Sequence, residues 1–174
     1  MGLLEEKLLN LTEEFKNDYL KRVADWAIDQ RNQLIKMTSF SQKQWCELLG
    51  IESEKKKMYD GTEVYGFPRG FFNQKISRKY DTMRKNAYKA KALSEEEFVN
   101  KEVQKAEAHY LSSIAKMAER IESKGLDVSK LEVEYARLGV NFEAVITDGI
   151  KKVRAFTIVA SGEVQRPHYR YLIK

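Results

Sequence analysis

Cysteine occurs once, at Cys46, which excludes an intramolecular disulfide and a cysteine-based zinc site. Histidine occurs twice, and His109 has no His or Cys three or four residues on, so a helical zinc motif is missing as well. The chain has no phosphate loop, no dinucleotide fingerprint and no nucleophile elbow. No apolar run approaches the roughly eighteen residues that a membrane span needs. Glu5, Glu6, Glu13, Glu14 and Asp18 interrupt any apolar core of a signal peptide. These absences lead to the expectation of a non-enzymatic protein of the reducing cytoplasm, without metal or cofactor.

The 174 residues are 43% hydrophobic and 33% charged, which is enough apolar material for a core. The net charge of +5 is unevenly distributed. Residues 1–53 carry net −2, residues 54–92 net +7, residues 93–149 net −5 and residues 150–174 net +5. The central block holds eleven Lys or Arg, among them Arg69, Lys75, Arg78, Lys79, Lys85 and Lys89. It also holds seven aromatic residues, including Tyr65, Phe67 and Phe71. Cations interleaved with aromatic rings suit a polyanion that presents stackable bases. The competing explanation is that the basic and acidic blocks neutralise one another within the fold.

Apolar residues recur at three and four over residues 2–36, from Leu4, Leu8 and Leu11 through Phe15, Tyr19, Val23 and Trp26 to Leu34. This pattern predicts one long amphipathic helix, whose stripe needs a partner from this chain or from a second copy in a homodimer. A short helix is predicted at 42–49, with Gly50 as its C-cap. Locally this segment resembles the first helix of a helix-turn-helix, although Lys56 stands where the second helix would bury an aliphatic side chain. Residues 60–71 read as an ordered loop, or as a short hairpin. A third helix is predicted at 72–92, with Ile76, Tyr80, Met83 and Ala87 inward and Arg78, Lys85 and Lys89 on another face. Ser94 and Glu97 form a capping box for a fourth helix over 95–123.

Beyond Gly125 the period changes to two. Residues 131–137 alternate, although they can also be read as helix. Residues 142–147 and 153–160 flank Asp148-Gly149, a two-residue hairpin signal, and 168–173 supplies a last strand. The predicted fold is α+β: an N-terminal long-helix bundle over 1–125 packed with a C-terminal antiparallel meander of three or four strands over 126–174, in one compact unit.

The terminal run Arg166-Pro167-His168-Tyr169-Arg170-Tyr171 places Arg166, His168 and Arg170 on one strand face. Together with Thr147-Asp148-Gly149, Ala155-Phe156-Thr157-Ile158 and Ser161-Gly162, it resembles the C-terminal end of small phage or mobile-element accessory proteins. That resemblance implies an accessory role inside a host cell. The sequence therefore leads to two expectations. One is a nucleic-acid or ribonucleoprotein binder that uses Arg69, Lys75, Arg78, Lys79, Lys85, Lys89, Phe67, Arg166, His168 and Arg170. The other is an anti-defence inhibitor, anti-CRISPR-like, that meets a host nuclease or its guide complex through protein contacts.

Overall fold

The computed structural model describes residues 2–138, 141–158 and 169–170. Its fold is α+β, with five α-helices and two antiparallel sheets among the described residues. The chain forms two compact units: Met1–Ala27 with Val99–Lys174, and Ile28–Phe98. The boundaries fall inside the two longest helices, not at residue 125, where the period of the sequence changes.

In the first unit, α1 (Leu3–Leu11) leads into α2 (Glu13–Met37). The single helix predicted over 2–36 is therefore interrupted, at Thr12. The Thr12 backbone leaves helical geometry with φ −99° and ψ 14°, and its hydroxyl donates to the Leu8 carbonyl at 2.8 Å. Such back-bonding bends a helix. Tyr110 of α5 (Glu95–Lys124) in turn donates its hydroxyl to Thr12 Oγ1 at 2.7 Å, with both groups buried.

Apolar spacing decides which faces meet. Leu8, Phe15 and Val23 are fully buried on α1 and α2, as are Tyr110, Met117 and Ile121 on α5. Thr12 meets Tyr110 while Lys16 meets Glu107, so the two helical stretches run antiparallel here. Leu8, Phe15, Tyr19 and Val23 of the first-helix stripe are thus buried in one core with residues of α5 and the sheet, and Trp26 and Leu34 are half-buried.

The larger sheet is a meander in the order β3 (Glu132–Leu138), β4 (Asn141–Thr147), β5 (Lys152–Ile158) and β6 (Tyr169–Arg170). Residues 132–138 are therefore strand, which settles the ambiguity between strand and helix. Phe142, Ala144 and Ile146 alternate into the core, and Phe142 stacks against Phe15 at 5.5 Å. Thr147 pairs with Lys152, so the β4–β5 loop has four residues, Asp148–Lys151, and not the two predicted. The Asp148 carboxylate explains the longer loop. It accepts the backbone N–H groups of Ile150 at 2.9 Å and Lys151 at 2.7 Å, and that of Asp127 at 2.9 Å. These bonds hold its pKa down, to about 2.

The second unit contains the end of α2, α3 (Gln42–Leu49), the ribbon β1 (Glu54–Lys57) and β2 (Glu63–Gly66), a 3-10 turn at Phe71–Asn73, and α4 (Ile76–Ala92). Ser41 and Gln44 form a reciprocal capping box on α3, and Gly50 closes the helix at φ 72°. No second helix follows. Residues 54–57 are all charged, offer no apolar face, and pair instead with residues 63–66, which removes the helix-turn-helix reading. Helix α4 starts at Ile76 and not at residue 72, because Phe71–Asn73 wind as a 3-10 turn and Gln74 is extended. Its end is tied down by Arg31, whose guanidinium donates to the Leu93 carbonyl at 2.9 Å.

Tyr110→Phe removes the donor to Thr12 and is expected to cost about 1 kcal/mol of stability, measured by urea unfolding. Asp148 has a folded pKa below its unfolded value, so its contribution is present above about pH 4 and lost as pH falls toward about 2. Thermal melts across that window are expected to show the gap between wild type and Asp148→Asn closing with acid. A gap independent of pH would contradict this role.

Candidate functional site

The second core cluster determines which residues of this unit face solvent. Tyr80 of α4 is buried and meets Trp45 edge-on at 5.1 Å, Phe67 at 5.0 Å and Phe71 at 5.7 Å. Ala87 and Ala90 are buried on the same helix. At about 100° per residue, this turns Arg78, Lys85 and Lys89 to the opposite side, where all three are exposed. Lys75 and Lys79 are exposed on one flank of that strip. On the other flank the Arg84 guanidinium lies 5.6 Å from the half-exposed Tyr88 ring. Asp81 is the one acidic residue within α4.

A second group of cations lies on the ribbon and the loop after it. Lys55, Lys56 and Lys57 are all exposed on β1, and Lys55 pairs across the ribbon with Glu63 at 2.6 Å. Among the described residues, Lys55 is the one cation of residues 54–92 within ion-pair distance of a carboxylate. The ion pairs between distant segments lie in the first unit: Lys16 to Glu107, Arg137 to Glu14 and Asp18, and Lys152 to Glu134.

Arg69 is exposed in the loop, and its backbone N–H donates to the Glu54 carboxylate at 2.6 Å. Phe67 is placed differently from the sequence-based expectation. It is 4% exposed and stacked on Phe71 at 4.2 Å with the rings 5° from parallel, so it is a core residue and not a stacking platform. The exposed rings are instead Tyr59, Tyr65, Phe72 and Tyr88. Lys43, which the sequence did not single out, sits over the Tyr65 ring at 5.2 Å. Arg166 and His168 lie outside the described residues. Arg170 pairs with Thr157 in β6 and belongs to the other unit.

Cys46 is buried, its Sγ is 3.9 Å from the Gly66 carbonyl, and burial followed by the Glu47 charge pushes its thiol pKa up, away from the nucleophilic thiolate. No group of three or more His, Cys, Asp or Glu among them is placed to hold a metal ion. Glu95, Glu96 and Glu97 occupy the first turn of α5, where they oppose the positive end of the helix dipole.

No family model matches the chain, and no curated protein or solved structure matches it either.

One glycine fixes the loop beneath the cations. A Cβ on Gly66 would fall 2.5 Å from Gln42 Oε1, the atom that accepts the Phe67 backbone N–H at 3.1 Å. Gly66→Ala and Gln42→Ala are each expected to cost about 1 kcal/mol in urea unfolding. The double variant is expected to cost less than the sum, because both changes remove the same bond. Full additivity would show that Gly66 acts in some other way.

Proposed function

We propose that the protein is a non-enzymatic accessory protein that binds nucleic acid, alone or within a ribonucleoprotein complex, through the second unit. The observation that carries this reading is the exposed strip Arg78, Lys85 and Lys89 on α4, which is flanked by further cations and forms no ion pair among the described residues, although Asp81 lies one turn away. Cations held outward by a rigid helix match a repeating line of phosphates, and the release of counterions from the polyanion drives such binding. Exposed aromatic rings in the same unit add surfaces on which bases can stack. The accessory role rests on the likeness of residues 147–171 to phage and mobile-element proteins.

Binding of this kind reads phosphates, not sequence. Lys85→Glu with Lys89→Glu is expected to weaken binding to all oligonucleotides alike. It should also make the slope of log affinity against log salt shallower by about one for each phosphate that is no longer neutralised. Fluorescence anisotropy on labelled oligonucleotides at a series of salt concentrations measures both effects. If the variant matches the wild type at low salt, the reading fails. Retention of a lysate protein after nuclease treatment would favour the protein-directed inhibitor instead.

A further inference from the structure

A cavity of about 320 Å³ opens between the β1–β2 ribbon and the loop that runs from Phe67 to Asn73. We propose that it is a pocket for one unstacked nucleobase with its adjoining phosphate, which would direct the protein to single strands over duplexes. This inference rests on the nucleic-acid reading and sharpens it.

The lining has the character such a ligand needs. Lys56 and Arg69, both exposed, supply two positive charges. Glu54 of β1 accepts the Arg69 backbone N–H at 2.6 Å, which ties the loop to the ribbon at this residue. The stacked pair Phe67 and Phe71 contributes apolar surface from rings only 4% and 1% exposed. Phe72 stands nearly perpendicular to both, at 78° and 81°, and is 68% exposed, so this lining ring keeps open surface for stacking. Gln42 spends its Oε1 on the Phe67 N–H, which directs its amide NH₂ to other acceptors, such as the edge of a base.

Alternative occupants fit less well. A lone inorganic phosphate needs neither an aromatic wall nor this volume. A purely apolar molecule would leave the two cations without a role. A base inside a duplex is stacked on both faces and cannot enter a concavity, whereas an unpaired base can be splayed out against an aromatic side chain. The cavity lies in the same unit as α4, which is about 25 Å long at 17 residues. A strand held by its phosphates on the helix could place one nucleotide in the cavity.

The test uses the full chain and one labelled oligonucleotide, prepared as a single strand in DNA and RNA forms and annealed to its complement. Anisotropy is expected to show preference for the single strand. Phe72→Ala is expected to lower single-strand affinity about tenfold and leave duplex affinity unchanged. Phe72→Trp should retain the wild-type preference. Lys56→Ser with Arg69→Ser, at two exposed positions where folding is not at stake, should remove the preference even if Phe72→Ala disturbs the loop. If all these variants bind single strands like the wild type while Lys85→Glu with Lys89→Glu still loses binding, the pocket is overturned and the basic helix face stands. If the wild type retains no probe at low salt, both fall.

Discussion

Tyr80 is the residue on which the exposed chemistry of the second unit depends. Its ring fills the junction of three segments, with Trp45 from α3 and Phe67 and Phe71 from the loop all packed against it edge-on. Each such pair adds about 0.5–1.5 kcal/mol beyond the area it buries. The consequence is rotational. Once Tyr80 is inside, the helical repeat leaves Arg78, Lys85 and Lys89 no position but outside. The same junction aligns Phe67 with Phe71, and that stack leaves Phe72 perpendicular to both and open to solvent. A purely hydrophobic packing event thus sets the layout of the cations and of the ring beside the cavity.

Elements specified by local chemistry were legible from the residues. Gly50 after α3 and Ser94 before α5 act through groups only a few residues away, and their positions are as read. The meander was legible because alternation is a local pattern that a half-buried sheet imposes. Features that need a distant partner were not. The break at Thr12 involves a hydroxyl 98 residues away on Tyr110. Residues 54–57 carry no strand signal of their own and become a strand because residues 63–66 pair with them. The Asp148 loop grew to four residues because a carboxylate organised it, an arrangement the Asp-Gly dipeptide conceals.

The candidate site divided along the same line. The basic face of α4 followed from periodicity, since a solvent-facing lysine needs no partner to define it. The aromatic side of the site did not. Phe67 and Phe72 are both phenylalanines in one loop, and composition cannot separate a buried ring from an open one. Rings on α3 and α4 decide that Phe67 goes in. Lys43 was passed over for a similar reason, because its relation to Tyr65 exists only once β2 has folded back toward α3.

The charge layout is harder to explain by stability than by binding. The ion pairs between distant segments of the first unit are mostly exposed, and such pairs contribute about 0–1 kcal/mol each, so folding leans on them lightly. The second unit leaves most of its central cations without even that. Lys85 and Lys89 stand four apart on one helix, an arrangement of like charges that destabilises a helix by a few tenths of a kcal/mol. Arg78 extends the same strip, and the burial of Tyr80 prevents the helix from turning it away. Among the described residues of α4 this repulsion is offset in part by Asp81, which stands four residues before Lys85. An anion laid along the strip would relieve the remainder, which is what the proposed polyanionic ligand would supply.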